Sequence, residues 1–158
     1  MVGDCENEIE MADRAVALNP NSFNAWNGRG WVYRIAGLPE EAVRSFERAI
    51  RMSPVDPALH RSFAGMGWAF VELRRFDEAV VAVKRAQRQN PSFPGTYLCL
   101  ASAFAHLGRD AEAHEAAARV LEINPAFAIS TWIARGPGFG LPGAKVLIEG
   151  LRKAGLPE

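Results

Sequence analysis

The sequence predicts an all-α fold, a right-handed solenoid of paired helices with one extra helix at its C-terminal end. Three observations carry this reading. Four prolines, Pro20, Pro54, Pro91 and Pro125, stand 34, 37 and 34 residues apart, each directly after Asn or Ser (Asn19, Ser53, Asn90, Asn124). A fixed period in this range marks a repeat architecture, in which each supersecondary unit buries its apolar face against its neighbours. The stretches between the prolines are Ala-rich and amphipathic with helical spacing, and no alternating β-branched run competes with them.

The elements come in order along the chain. Glu6 to Leu18 reads as a helix with Ile9, Ala12, Ala15, Val16 and Leu18 apolar, closed by Asn19-Pro20. Asn21 and Ser22 offer cap oxygens for the next helix. Gly37 suits a left-handed turn at its end, and Pro39 opens the helix after that, where its missing N–H costs nothing. The second pair carries three extra residues before Phe63, read as an added helical turn begun at Pro57. It then turns at Leu73-Arg74-Arg75-Phe76 without a glycine, whereas the third pair turns at Gly108. Asp77 and Asp110 place acids at the starts of two second helices. A further helix is expected over 127–135, cut by Gly136-Pro137-Gly138-Phe139-Gly140. A last one is expected over 144–154, with Val146, Leu147 and Leu151 on one face and Gly155 and Pro157 as its stop. The glycine-rich stretch 136–143 reads as a flexible connector and a candidate lid.

Counting back from Pro54, Pro91 and Pro125 exposes a packing code. An aromatic stands 28 residues before each (Trp26, Phe63, Tyr97), a small residue 24 before (Gly30, Gly67, Ala101) and an aromatic 21 before (Tyr33, Phe70, Phe104). Twelve before stand Ala42, Ala79 and Ala113, each after a Glu, with Phe46, Val83 and Ala117 eight before and Ala49, Ala86 and Val120 five before. Small residues let helices approach and large ones fill the space beside them. Gly28 and Gly30, like Gly65 and Gly67, therefore read as close-packing positions and not as a phosphate cradle. This code closely resembles the tetratricopeptide repeat, a helix A–turn–helix B unit, over residues 6–135. Arg29 and Met66 stand where the family favours Leu, and Ala117 replaces an aromatic.

The resemblance implies one repeat domain: a half repeat over 5–20, repeats over 23–56, 60–93 and 94–127, and a broken repeat with a terminal helix over 128–158. The tail, from Glu149 to Glu158 after Asn124-Pro125-Ala126-Phe127-Ala128-Ile129-Ser130, resembles the C-terminal end of bacterial proteins in which such repeats come after a class III adenylate/guanylate cyclase domain or a DNA-binding response domain. That likeness implies a regulatory or oligomerisation segment as the alternative function. Nothing in the chain resembles the cyclase catalytic domain.

Composition narrows the function classes. The 158 residues are 49% apolar with formal net charge zero, which argues against a dedicated nucleic-acid binder. Asp4, Glu6, Glu8, Glu10 and Asp13 form an acidic cluster, read first as a solvated helix start and otherwise as a contact for a neighbouring domain. Cys5 and Cys99 lack metal spacing and suggest a reducing compartment. No stretch has the length and hydropathy of a membrane span, and the acidic N-terminus is unlike a secretory signal, so a cytoplasmic location is expected. His60, His106 and His114 have no Asp or Glu at motif spacing, and Ser45, Ser62 and Ser102 sit within helical patterns. Neither a metal, a cofactor nor a catalytic triad is expected, and the chain reads as a non-catalytic interaction module.

The family resemblance implies where a partner would sit. Its concave groove is lined by the A helices, which maps onto Asn24, Asn27, Trp31 and Arg34 in the first repeat, Arg61, Trp68 and Glu72 in the second, and Leu98, Ser102 and His106 in the third. Trp31 and Trp68 fall one repeat apart on a face that should see water, which is costly unless something covers it. The cover is either a protein or peptide partner, or the terminal helix folded back over both tryptophans. The Asn/Arg set loosely resembles the carboxylate clamp of chaperone-binding members, without its lysines. The half repeat at the N-terminus has no helix A before it. Either a longer protein supplies one, or two copies pack end to end as a homodimer.

Overall fold

The computed structural model describes residues 2–136 and 141–158. Among them the chain forms nine α-helices and no strand. These are α1 (Val2–Leu18), α2 (Phe23–Ile35), α3 (Pro39–Met52), α4 (Leu59–Glu72), α5 (Phe76–Gln89), α6 (Pro94–His106), α7 (Asp110–Ile123), α8 (Ile129–Arg135) and α9 (Pro142–Lys153). Helices α2/α3, α4/α5 and α6/α7 are antiparallel pairs stacked in sequence, with α1 against α2 at one end. The even-numbered helices of these pairs form the inner layer and α3, α5 and α7 the outer one. Residues 137–140, which carry much of the expected connector and lid, lie outside the described residues.

The prolines act through the residue before them. A proline ring pushes its predecessor out of the helical region, and Ser53, Asn90 and Asn124 adopt nearly the same backbone, φ −145 to −137° and ψ 81 to 88°. In the turn after each, the carbonyl of that residue accepts the N–H three positions on: Ser22 to Asn19, Asp56 to Ser53, Phe93 to Asn90 and Phe127 to Asn124, at 3.0–3.2 Å. Ser22 then caps α2, its Oγ accepting the Ala25 N–H at 3.2 Å.

Four local expectations change. Pro57 does not begin an extra helical turn: α4 starts at Leu59 because the Asp56 carboxylate accepts the Ala58 N–H (2.8 Å) and holds 56–58 as a turn. The helix expected from 127 starts at Ile129, since Phe127 is spent in the post-proline turn. Conversely α1 extends back to Val2, and α9 begins at Pro142, a residue preorganised for the first helical turn.

The packing code fills the interior. The Phe46 ring is fully buried between α2 and α4, and a Cβ at either Gly30 or Gly65 would collide with it. At Gly67 the corresponding collision is with Val83. Gly28 departs from the expectation: a Cβ there would meet nothing within 4 Å.

Candidate functional site

The inner layer, α2, α4 and α6, is the side that the family resemblance reads as the concave face, and α9 lies on it against α4 and α6. Two inner-face side chains hold α9 by its main chain. Ser102 Oγ donates to the Leu147 carbonyl at 2.9 Å, and His106 Nε2–H donates to the Val146 carbonyl at 2.7 Å, which sets the imidazole tautomer. These carbonyls are still engaged within a helix, so the added bonds use their second lone pairs. Gly150 makes the approach possible, because a Cβ there would collide with Ser102 Oγ. The apolar side of α9, Val146, Leu147, Ile148 and Leu151, is buried in the same cluster as Trp68, Leu98 and Tyr97. The chain end closes the arrangement: the Pro157 carbonyl accepts the Ile129 N–H at 2.8 Å, tying the tail to the start of α8.

The ten expected groove residues divide accordingly. Leu98 and Ser102 are buried, and His106 is half-buried, stacked on Phe76 with centroids 4.5 Å apart and planes 9° apart. Trp68 is only 7% exposed; its Nε1–H donates to the Gly95 carbonyl (3.0 Å) and its ring lies 5.5 Å from that of Trp132 on α8. Trp31, in the same repeat position, is half-buried with its ring edge-on to Phe46 at 5.5 Å. The two tryptophans therefore differ: α8 and α9 enclose the second and leave part of the first open. Asn27 is half-buried, its Oδ1 accepting from Ser62 Oγ (2.8 Å), while Asn24 and Arg61 are exposed.

Arg34 and Glu72 pair across the face, Nη2 to Oε1 at 2.8 Å, with side chains 7% and 6% exposed. The Arg34 guanidinium also lies 4.7 Å from the Trp68 ring and 5.8 Å from the Trp31 ring. Burial pushes the Glu72 carboxyl above its ordinary value, and Arg34 opposes that shift without cancelling it. Burial likewise lowers Arg34, against the pull of Glu72. Arg34 Nε is buried without a hydrogen-bond partner. Its charge is thus committed inside the protein to Glu72 and the two indoles.

Sequence reasoning assigns Arg34 and Glu72 to one groove without pairing them, and it misses Phe76, Trp132 and Gly150. A signal for the last exists. Glycine inside an amphipathic helix is unfavourable unless another element must approach it closely. Cys99 lies fully buried behind this face, and burial raises its thiol well above the usual range, the mark of an inert core thiol. Among the described residues there is no group of three or more His, Cys, Asp or Glu placed to hold a metal ion, and no helix is long and apolar enough to cross a membrane.

Stacked antiparallel pairs with small residues at the crossings are matched by the tetratricopeptide repeat model over residues 9–57 and 65–126. The chain belongs to the tetratricopeptide repeat family. Among solved structures it is similar to MamA, with 22% identity, a TM-score of 0.71, and cover of 96% of this chain and 87% of that one. It is similar also to YrrB, described as a TPR protein with an unusual peptide-binding site (25% identity, TM-score 0.63, cover 97% and 77%). A third likeness is to the first TPR of Spaghetti (RPAP3) bound to the HSP90 peptide SRMEEVD (20% identity, TM-score 0.61, cover 82% and 90%). At such identities the likenesses to MamA and Spaghetti speak for the fold. No curated protein matches the chain.

Proposed function

We propose that this chain is a non-catalytic protein–protein interaction module that takes a peptide or partner protein on its concave face. The manner in which α9 is held carries the reading. Ser102 and His106 donate to helix carbonyls above an apolar floor, so the face has the chemistry to grip a peptide main chain while burying its apolar side. Peptide binding by the similarly folded YrrB and Spaghetti domains supports it. The part of the face left open carries exposed Asn24 and Arg61 beside half-buried Asn27 and Trp31, and a partner would bind there, next to α9. Ser62 uses the Asn27 carbonyl oxygen, which leaves the amide N–H donors for a peptide carbonyl. Arg61 would take a carboxylate. The working units are the half repeat 5–20, the repeats 23–56, 60–93 and 94–127, and the closing segment 128–158.

Peptides selected against the intact chain, titrated by fluorescence anisotropy, test this. Trp31→Ala and Arg61→Ala should each weaken them roughly tenfold, as expected of an interface anchor, with circular dichroism unchanged. Peptides that bind both variants like the wild type would remove the concave face from the reading. The alternative, a regulatory or oligomerisation segment of a cyclase-like or transcription-regulator-like protein in a bacterial cytoplasm, rests on the tail sequence alone. Its oligomerisation form requires concentration-dependent self-association, and a chain that stays monomeric in light scattering would exclude that form.

A further inference from the structure

Among the described residues, the inner-side clefts α3/α4 and α5/α6 are each covered by an inner helix of the same chain, and the α1/α2 cleft is not. Helix α2 packs over α3 and α4, α4 over α5 and α6, and α6 over α7. Helix α1 occupies the register of the outer helices. Counting 34 residues on, its Glu8, Ala12, Arg14 and Ala15 correspond to Ala42, Phe46, Arg48 and Ala49 of α3. Between α1 and α2 lies an uncovered cleft of ≈ 520 Å³, walled by Met11, Ala12 and Ala15 on one side and Gly28, Val32 and Ile35 on the other. Met11 is 64% exposed, and Leu18, two turns further along α1, is 77% exposed.

Three differences from the covered repeats specify what fits. The first is an arginine ladder. Arg48 lies over Trp26 at 5.7 Å, Arg85 over Phe63 at 5.5 Å and Arg119 over Tyr97 at 5.6 Å, each outer helix capping the aromatic near the start of its own inner helix. Arg14 holds the same register but is exposed, and among the described residues no ring lies against it. The second is the space at Gly28. The corresponding Gly65 is filled by Phe46, whereas α1 offers only Ala12 in the Phe46 position, and Gly28 faces open space. The third is Glu8, which stands where Ala42, Ala79 and Ala113 are buried in the other outer helices.

We propose that the α1–α2 cleft is a docking site for an amphipathic helix with an aromatic residue in its first turn, a large aliphatic residue one turn later and a Lys or Arg in its last turn. Lying antiparallel to α1, as each inner helix lies to its outer one, it sets its aromatic ring under Arg14. Its aliphatic side chain fills the space between Ala12 and Gly28. Its basic end meets Glu8, the opposite charge at that end of α1. Met11 loses its exposure in the same step, since Ser45, Ala82 and Ala116 at the same register of the covered outer helices are buried. This cleft lies at the end of the solenoid and shares Asn24 with the open part of the concave face, so it is tested at Met11, Arg14 and Gly28 and the function proposed above at Trp31 and Arg61.

A fluorescein-labelled synthetic peptide copying residues 22–37 of this chain, with Gly30→Leu to supply the aliphatic residue, has the required features in Trp26, Leu and Arg34. Titrated against the full chain, it should bind in the micromolar range. Met11→Glu should weaken it roughly tenfold or more and Arg14→Ala severalfold, magnitudes typical of a central anchor and a flanking cation. Glu8→Arg should also weaken it, and Trp26→Ala in the peptide should cancel the effect of Arg14→Ala. Gly28→Leu, whose Cβ meets nothing within 4 Å, should block the slot with circular dichroism unchanged. Absence of binding up to about 100 μM, a free-energy change of about 5.5 kcal/mol, would overturn the proposal, as would binding unmoved by Met11→Glu and Gly28→Leu. A concentration-dependent dimer in light scattering, lost in Met11→Glu, would assign the cleft to a second copy and overturn it equally.

Discussion

Arg34 and Glu72 are the most consequential side chains on the concave face, because each charge is tolerable there only through the other. Taking both out of water costs several kcal/mol per ion, and a 2.8 Å pair with two adjacent indole faces offsets it. Removing one partner is therefore worse than removing both. Arg34→Met should cost about 3–5 kcal/mol at pH 7, and Arg34→Met with Glu72→Leu should recover most of that. The pH dependence comes from the direction of the shift. Burial raises Glu72, so its contribution to stability is full below the ordinary carboxylate range and is lost as pH rises through the folded value. Without Arg34 the folded value rises further, so the single variant should be less destabilised at pH 5 than at pH 7. Urea unfolding at both pH values decides it, and equal losses would mean that Glu72 reaches water in the variant. By contrast, the exposed Arg75–Glu78 and Arg109–Glu112 pairs one helical turn apart are worth little.

At the scale of the element, one turn is written in three ways that share a single backbone. The residue between inner and outer helix is left-handed in each repeat: Gly37 at φ 83°, Arg74 at φ 60° and Gly108 at φ 73°. Arginine takes this conformation at a cost that glycine avoids. It is held there because Arg75, the residue before α5, donates its N–H to the Phe70 carbonyl at 2.8 Å, as Arg109 does to Phe104 at 2.9 Å. Gly108 has open space where a Cβ would be, so Gly108→Ala isolates the backbone effect and should lower stability by about 1 kcal/mol. Arg74→Gly should be neutral or stabilising by up to about 1 kcal/mol, strain relief being partly offset by the wider freedom of glycine in the unfolded chain. Thermal unfolding of the two variants checks both signs, and a large loss in Arg74→Gly would reveal a structural role for the arginine side chain.

For the whole molecule, the decisive event is the return of α9 onto the inner layer. Burying Val146, Leu147, Ile148 and Leu151 contributes about 1.5–3 kcal/mol each before ordering costs, against a total domain stability of only about 5–15 kcal/mol. A chain ending at Arg135 should therefore have a much lower Tm and expose the floor around Trp68 and Leu98. Adding a synthetic peptide of residues 141–158 should raise that Tm as its concentration increases, because it binds the folded form alone. If the truncated chain melts like the full one, α9 contributes little to the core.

The pair-by-pair architecture was legible in the sequence because its causes are local or repeat at a fixed interval. Residues before proline leave the helix, small residues mark helix crossings, and Ser22 caps the helix that begins at Phe23. Those rules placed the repeated helices within a few residues and erred at Pro57, where the Asp56 side chain caps a turn in place of helix. The concave face was legible only as a set of positions. Whether Trp31 and Trp68 meet water or protein depends on contacts between segments far apart in the chain. Helical periodicity says which side of α9 is apolar but not which surface receives it. Tertiary structure decided that Ser102 and His106 grip α9, that Arg34 is spent on Glu72, and that the slot at Gly28 stays open. It did so because burial is a property of the assembled layers, and the repeat pattern is the same whether a neighbour is present or not.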